Sequence, residues 1–559
     1  NVIGAHSYQG VANSSGTLSG DPQLNANHHP HESPPSPVIN SGTNTVPGGL
    51  PSHDLDGGPR VTGTTVDRGA YESSINDAFI QTVTNTNDSG AGSLRAAINS
   101  ANANVSSGAL ITFDIGSGCG PHVITLNSNL PAIAAPMLIN GYSQTGASEN
   151  TLDTGDNASI CVILEAGNSA VDDGLYVSSF AGDSVQAVVQ GLAFSGFSYA
   201  AIDFAGGSGH GIAGNHFGGN VNGHALQANG VDIELEKNAH DAIIGGADAA
   251  ERNIIGDAAD VGILLGNGVV GQPYTGTYNN QVINNYIGVG WNQNTNSYSN
   301  RANAHAGVRI YSRDNTLSGN LIGNNGYGGV EIDGGTATGN LLSGNFIGAD
   351  ADGAQLSNNY TGVGIYASGD QVPHDNTVSA NTIANSTSAG VRINLGQHNK
   401  VRKNKIYNNG LLGIDIAGTG VTPNDDDGGL QINDYANRGQ NFPELTAAAG
   451  GANKGTVSGT LTTTPGTYTI DFYTSPGCDN SGYGEGEVWL KGMSVTVPTP
   501  VIGDQGTANF NTTIAFPLLD GRTITATATD SVGDTSEFSA CITYTNDTIF
   551  ADGFEPPPA

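Results

Sequence analysis

Asn315-Thr316-Leu317-Ser318-Gly319-Asn320-Leu321-Ile322 is followed, one winding later, by Asn340-Leu341-Leu342-Ser343-Gly344-Asn345-Phe346-Ile347. Both read Asn, x, apolar, x, x, Asn, x, Ile. The pattern returns as Asn280-Val282-Asn285-Ile287, Asn376-Val378-Asn381-Ile383 and Asn399-Val401-Asn404-Ile406, with a degenerate copy at His210-Ile212-Asn215-Phe217. The first asparagines lie 35, 25, 36 and 23 residues apart.

Each copy is followed by a second motif, Gly-apolar-x-apolar. Examples are Gly307-Val308-Arg309-Ile310, Gly329-Val330-Glu331-Ile332, Gly362-Val363-Gly364-Ile365, Gly390-Val391-Arg392-Ile393 and Gly413-Ile414-Asp415-Ile416. Earlier versions are Gly230-Val231-Asp232-Ile233 and Gly262-Ile263-Leu264-Leu265. From the final Ile to this Gly the gap is seven residues in three windings (322 to 329, 383 to 390, 406 to 413) and longer in two (347 to 362, 287 to 307). The repeat is therefore one coil of about 23 residues with loops inserted at one corner. A single coil cannot bury its Val and Ile face, whereas stacked coils bury a continuous column. At a strand spacing of ~4.8 Å, the Asn at each bend can hand its amide hydrogen bond to the Asn of the next coil. Gly, Asn and Thr are poor helix formers, which excludes a helical array. The pattern predicts an all-β, right-handed parallel β-helix. Stacking accounts for the asparagines without any ligand.

The chain has 559 residues, 83 of them Gly, and Asp+Glu outnumber Lys+Arg 50 to 17. A formal charge of −33 disfavours nucleic acid as a partner. No run of 18 or more apolar residues occurs, so no membrane span is expected. Cys119, Cys161, Cys478 and Cys541 form no CxxC pair, which argues against zinc and thioredoxin-like sites. Four cysteines allow three pairings. Proximity in sequence suggests Cys119–Cys161 and Cys478–Cys541, and disulfides imply a secreted protein.

From about residue 444 the pattern changes. Runs such as Thr467-Tyr468-Thr469-Ile470-Asp471-Phe472-Tyr473 and Arg522-Thr523-Ile524-Thr525-Ala526-Thr527-Ala528 alternate with period two. Several such strands between Gly/Pro turns read as an immunoglobulin-like β-sandwich over 444–545, with a tail at 546–559.

Residues Asp88 to Ile98 predict a short amphipathic helix laid over the first coil, hiding an open sheet edge. Here the chain resembles bacterial secreted right-handed parallel β-helix repeat proteins of the pectate-lyase-like superfamily. Ser93-Leu94-Arg95 through Ile98 resembles their Cys-Ser-Leu-Arg-Glu-Ala cap motif, with Gly92 in place of Cys and Ala96 in place of Glu. The likeness continues through Asn345-Phe346-Ile347-Gly348-Ala349-Asp350 and Gly413-Ile414-Asp415-Ile416 to Gln440-Asn441-Phe442-Pro443-Glu444-Leu445. It implies fold and export, and no catalytic residue. Residues 1–73, with Asp54-Leu55-Asp56-Gly57 and Val66-Asp67-Arg68-Gly69-Ala70-Tyr71-Glu72, resemble the closing coil of an upstream, truncated β-helix; the capped helix is expected over 78–440. Ile549-Phe550-Ala551-Asp552-Gly553-Phe554-Glu555 resembles a tail of exported proteobacterial proteins.

On each Gly-apolar-x-apolar strand, x points outward. One outward column is expected to hold Asp232, Leu264, Arg309, Glu331, Gly364, Arg392 and Asp415. The next holds Glu234, Gly266, Tyr311, Asp333, Tyr366, Asn394 and Ala417. Inserted loops 288–306 and 348–361 are expected to bring Trp291, Tyr298, Arg301, His305 and Tyr360 to the same side. Aromatic platforms beside carboxylates suit sugar rings. Tyr311, Tyr366, Glu331, Asp333, Trp291, Tyr298 and Tyr360 are the candidate glycan-binding residues. The expected function is extracellular, adhesion-type glycan recognition at a bacterial cell surface. The alternatives are a polysaccharide lyase or inverting glycoside hydrolase, and a passive stalk. For an enzyme the candidates are Glu331, Asp333 and Arg309. Two carboxylates two residues apart on a strand have Cα atoms ~6.6 Å apart, and inverting glycosidases want ~6.5–9.5 Å between carboxyls. No cofactor is required. Two Asp-rich turns are candidate calcium sites, Asp425-Asp426-Asp427 and Asp350 with Asp352, because hard cations take clustered oxygens. His28, His29 and His31 read as exposed loop residues.

Overall fold

The computed structural model describes residues 79–546 apart from 105–107, 267–275, 368–371, 419, 426–435, 452 and 516–519, together with the backbone pairing of Val2–Ile3 with Leu18–Ser19. The expected closing coil over 1–73, the three histidines, Asp426, Asp427 and the C-terminal tail otherwise lie outside the described residues.

The chain winds through three parallel sheets of 11, 10 and 9 strands. The first runs from Phe79–Val83 to Lys400–Arg402, the second from His122–Leu126 to Lys405–Tyr407, and the third from Asp173–Val177 to Ile414–Ile416. The sequence pattern predicts two strands per coil, and the structure has three. Each Asn-x-apolar-x-x-Asn-x-Ile unit is two strands, such as Thr316–Ser318 and Leu321–Ile322, which belong to different sheets. The residue before the second Asn makes the corner. Gly214, Asn284, Gly319, Gly344, Ala380 and Lys403 all have φ between 55° and 69°, a region where side chains other than those of Gly and Asn are uncommon. That left-handed residue turns the chain between sheets without a longer loop.

Inward side chains form the expected columns. Ile287, Ile322, Ile347, Ile383 and Ile406 point into one core, together with Val282, Leu317, Leu342, Val378 and Val401 of the first sheet. The third sheet adds Val308, Val330, Val363 and Val391 and, beside them, Ile310, Ile332, Ile365 and Ile393. All are essentially inaccessible to solvent, and full burial of such a side chain stabilises by about 1.5–3 kcal/mol.

The asparagines carry the polar half of the stack. In the second-position ladder Asn285 Nδ2 donates to Asn320 Oδ1 at 3.1 Å, Asn320 to Asn345 at 2.9 Å, Asn345 to Asn381 at 2.9 Å and Asn381 to Asn404 at 3.0 Å. Asn280, Asn315, Asn340, Asn376 and Asn399 form the first-position ladder in the same direction. A third ladder, Asn303–Asn325–Asn358, lines the corner between the second and third sheets. Each Oδ1 also accepts a backbone N–H of the preceding coil, as in Asn320 N to Asn345 Oδ1 at 3.1 Å. Buried amides satisfied this way avoid the 1–3 kcal/mol desolvation cost of an unpaired group.

The two ends are closed differently. The helix Leu94–Ala103, N-capped by Ser93, lays Leu94, Ala97, Ile98 and Ala101 on the first coil, as expected. Arg95 ties Asp88 at 2.6 Å and the Ser128 and Asn129 carbonyls, a structural role. At the other end stands a sandwich of two four-stranded sheets. One orders Gly506–Ile514, Lys454–Thr463, Glu444–Gly451, Thr545–Asn546; the other orders Val488–Val497, Gly466–Ser475, Thr523–Thr529, Ile542–Thr543. Val457, Leu461, Ile470, Phe472, Phe510 and Ile524 fill the space between them.

Loops of the sandwich finish the last coil. Asn409 N and Nδ2 donate to Glu485 Oε1 at 3.0 and 2.8 Å. Ile416 N and Thr422 N donate to the two Glu537 oxygens at 2.9 Å each, and His398 N to Asp534 Oδ1 at 2.5 Å. Both suggested disulfides are present, with Cα–Cα distances of 4.7 Å for Cys119–Cys161 and 6.0 Å for Cys478–Cys541. Two disulfides are consistent with secretion into an oxidising compartment. Among the described residues no helix is long and apolar enough to cross a membrane.

Candidate functional site on the third sheet

The outer face of the third sheet carries charged and aromatic side chains in register from coil to coil. Its register differs from the sequence reading at one point. Ile233 pairs with Ile263 and Glu234 with Leu264. Glu234, and not Asp232, therefore joins the column Leu264–Arg309–Glu331–Gly364–Arg392–Asp415. A slip of two residues preserves the inward–outward alternation, so hydrophobic pattern alone does not detect it. Asp203 precedes Glu234 in the same column, and Tyr176 precedes Asp203.

At the Asp203 end, carboxyls crowd together. Burial, then the negative Glu234, pushes Asp203 up to about 9. Burial, then Glu236, pushes Glu234 to about 7, and burial, then Asp172, pushes Asp173 to about 6. Tyr199, on the preceding corner, donates its hydroxyl to Glu234 Oε1 at 3.1 Å. Lys237 pairs with Glu236. The sequence reading missed Asp203 and Tyr199, which lie before the regular repeats begin.

In the middle of the sheet the expected residues assemble in part. Arg309 Nε donates to Glu331 Oε2 at 2.8 Å, and His305 Nδ1 lies 3.6 Å from the same oxygen. Glu331 is buried, so this pair is a fixed element of the face rather than a free acid and base. Asp333 lies next to Tyr366 in register, in the column shared with Tyr311. Burial raises the Asp333 carboxyl, while Arg309 lowers it. Burial likewise pushes Tyr311 up to about 12 and Tyr366 higher still. The Tyr366 ring lies flat over Gly364, where a Cβ would come within 2.3 Å of it. Its hydroxyl lies 3.2 Å from that of Thr361.

Beside this column runs a stack of rings from the corner between the second and third sheets. His305 stacks on Tyr327 with centroids 4.7 Å apart, and Tyr327 on Tyr360 at 4.4 Å. Arg392 closes the row over the Tyr360 ring at 5.4 Å and also bonds its hydroxyl. The rings occupy equivalent places in successive coils, as Tyr327 N donates to His305 O and Tyr360 N to Tyr327 O. Tyr327 was not foreseen. Its signal was its place five residues after the Ile322 that ends a repeat unit.

Trp291 and Tyr298 do not join this face. They sit on a hairpin, Val289–Asn292 paired with Ser297–Asn300, that folds back over the second sheet. Tyr298 packs with Tyr286, Ile254, Val289, Leu321 and Leu356, and the Trp291 indole lies against Gly155. An insertion tethered at a corner can lie over either adjoining sheet; here apolar contacts on the second sheet decide. Arg301 pairs with Asp257 at 3.6 Å at the same corner.

Among the described residues no three acidic, His or Cys side chains gather as a metal would require. Asp350 accepts from the Asp352 and Ala354 amides at 3.0 and 2.7 Å, which ties its own turn. Asp425 N donates to Asn441 Oδ1 at 3.2 Å.

Comparison with known proteins places the winding. Residues 288–427 match the family model described as a right handed beta helix region. No curated protein matches the chain. Among solved structures, it is similar to the A-module of the mannuronan C-5 epimerase AlgE4 of Azotobacter vinelandii, at 14% identity and a TM-score of 0.30, covering 60% of this chain and 80% of that one. It is similar to the periplasmic alginate epimerase AlgG at 14% identity and TM-score 0.25, covering 55% and 69%. The enzymatically active domain of bacteriophage CBA120 tailspike protein 2 gives 11% identity and TM-score 0.28, covering 84% and 72%. At these scores the likenesses carry no argument about chemistry.

Proposed function

We propose, for a chain wound as a parallel β-helix whose residues 288–427 match the right handed beta helix region, that the outer face of its third sheet recognises glycans outside the cell. The observation that carries this reading is the row His305–Tyr327–Tyr360 beside the column Tyr311–Asp333–Tyr366. Coils repeat every ~4.8 Å, about the length of one pyranose ring in a chain. A glycan laid along the helix axis would meet the edges of the stacked rings and a carboxylate or phenol at each step, with the phenol hydroxyls as hydrogen-bonding groups. Arg309 is held by Glu331, and Arg392 by Asn394, Tyr360 and the Gly418 carbonyl. With its cations engaged, the face favours neutral over acidic sugars. A glycan array followed by calorimetry tests this. Tyr327→Ala and Tyr360→Ala are each expected to weaken binding by about tenfold, the 1.4 kcal/mol scale of a lost ring contact. Unchanged binding in both variants, or no glycan bound at all, overturns it and leaves the passive stalk.

A second reading rests on a different observation, the adjacent carboxyls Asp203 and Glu234. An acid that keeps its proton at neutral pH beside a carboxyl that gives its proton up at lower pH is the pairing glycoside hydrolysis requires. On that reading the chain degrades polysaccharide, with Asp203 and Glu234 replacing Glu331, Asp333 and Arg309 as the catalytic candidates. New reducing ends from a polysaccharide panel, abolished by Glu234→Gln, would favour the enzyme; their absence favours recognition alone.

Calcium at the Asp350–Asp352 or Asp425–Asp427 turn belongs to the same proposal, and a Tm unmoved by EDTA removes it. We read the sandwich as immunoglobulin-like on its strand orders.

A further inference from the structure

The chain has 17 Lys and Arg residues, and four of them, Lys400, Arg402, Lys403 and Lys405, fall within six positions. In a protein of charge −33 this is a local reversal of sign. The four side chains lie along one coil at the end of the solenoid. Lys400 and Arg402 are on the last strand of the first sheet, Lys403 is at the left-handed corner, and Lys405 is on the last strand of the second.

The sandwich adds an aromatic wall. A cavity of about 310 Å³ opens between the two domains, lined by Arg402, Lys403, Thr469, Trp489, Met493 and Ser494. Trp489 is 37% exposed, a high value for an indole beside a domain junction. Its ring is held in place because Nε1 donates to Asp471 Oδ1 at 2.9 Å. Asp471 is fully buried and takes Arg402 as well, at 2.5 and 3.1 Å, so the charge of that arginine is answered. Lys403 is exposed, and its Nζ lies 5.1 Å from the centre of the Trp489 ring. Lys405 Nζ lies 4.7 Å from the centre of the Tyr407 ring. Burial raises the Tyr407 phenol, and Glu487 and Asp350 raise it further. Among the described residues no carboxylate lies within ion-pair distance of Lys400, Lys403 or Lys405.

We infer that this junction is a second binding site, separate from the third sheet, and that it takes an acidic saccharide. Lys403 Nζ lies over the indole, so ring and ammonium form one surface, on which a sugar ring meets the exposed part of the indole and its carboxylate or sulfate meets the ammonium. Lys400 and Lys405 flank Lys403 along the coil and meet charges on neighbouring sugars. A duplex nucleic acid packs one charge per ~1.7 Å, which the surrounding acidic surface repels more strongly than a saccharide with one charge per ring. The immobilised Trp489, with its polar edge already satisfied, also suits stacking without base-edge recognition.

The test uses the whole chain and follows Trp fluorescence during titration with oligogalacturonate, a sulfated dextran, maltohexaose and a single-stranded oligonucleotide. The two acidic saccharides represent the two sources of negative charge. At least one is expected to bind, with affinity falling about tenfold or more as NaCl rises from about 50 to about 500 mM. Lys403→Asn, which suits the left-handed corner, is expected to weaken that binding about tenfold. The signal should persist in Trp291→Phe. The inference is overturned if no acidic saccharide binds, if maltohexaose or the oligonucleotide binds equally well, or if Lys403→Asn leaves the affinity unchanged.

Discussion

At its N-terminal end the solenoid is closed by Leu94, Ala97, Ile98 and Ala101, four apolar side chains of one helix. At its C-terminal end the closure is made by Glu485, Asp534 and Glu537, three carboxyls on loops of another domain. The problem is the same in both places, since the last coil of a stack leaves backbone groups and aliphatic columns without a neighbour. A local helix can cover apolar surface with little loss of chain entropy. The sandwich, arriving from a domain of its own, instead supplies acceptors to the orphan N–H groups and sets Phe538 against Gly413. Against the opposing effect of burial, Arg95 lowers the carboxyl at the helical lid, Asp88, whereas the acidic lid carries three raised ones.

The comparison can be broken in several ways. The largest effect is expected from Ile98→Ala, which opens a cavity under the helical cap and should cost about 2–5 kcal/mol, read as a fall in the denaturation midpoint. Asn345→Ala, in mid-ladder, should cost about 1–3 kcal/mol by leaving the Asn320 amide without its acceptor. It should affect neither end selectively.

The effect of pH separates the two ends. Burial, opposed by the Asn409 amide, pushes Glu485 from 4.5 up to about 7. Burial pushes Glu537 to about 7 against the Thr422 and Ile416 amides, with Asp415 adding repulsion. Asp534 rises to about 6 through burial, against the His398 amide; Asp530 raises it further, and His398 and Arg438 lower it. Raised acids favour the docked state below their unfolded values, near pH 4, and that contribution is lost as pH climbs through 6 and 7. Hydrogen-exchange protection at Asn409, Ile416 and Thr422, corrected for intrinsic rate, should therefore fall between pH 5 and pH 8. Protection under the helical cap should stay flat. Equal slopes at both ends would defeat the contrast. The smallest effect is expected from Glu485→Gln. It keeps an acceptor for Asn409, and should change stability at pH 5 by under about 1 kcal/mol while flattening the pH dependence at that site.

How much of this was legible in the sequence follows from the physics of each part. The aliphatic columns and two of the ladders were readable because one coil needs the same side chain at the same place as the next. The third ladder was missed because Asn303, Asn325 and Asn358 stand beside loops of unequal length. The Glu234 register was misassigned because two outward columns are interchangeable to a period-two pattern. Trp291 and Tyr298 were placed on the wrong face because their hairpin is anchored at one point only. Asp333 and Tyr366 share one column because they sit on strands, and Tyr311 because it directly follows one. The sandwich carboxyls had no signature at all; they act across about 70 to 140 residues of chain.

Every amide in the long asparagine ladders donates toward the C-terminus. A growing edge of this kind always presents the same empty seats, whichever coil made them. Such a protein can lengthen or shorten only by whole turns. Excising residues 315–339, which returns the chain to an asparagine of identical role at 340, leaves every seat filled; cutting a few residues more or fewer leaves two rows of seats misaligned along the remaining length.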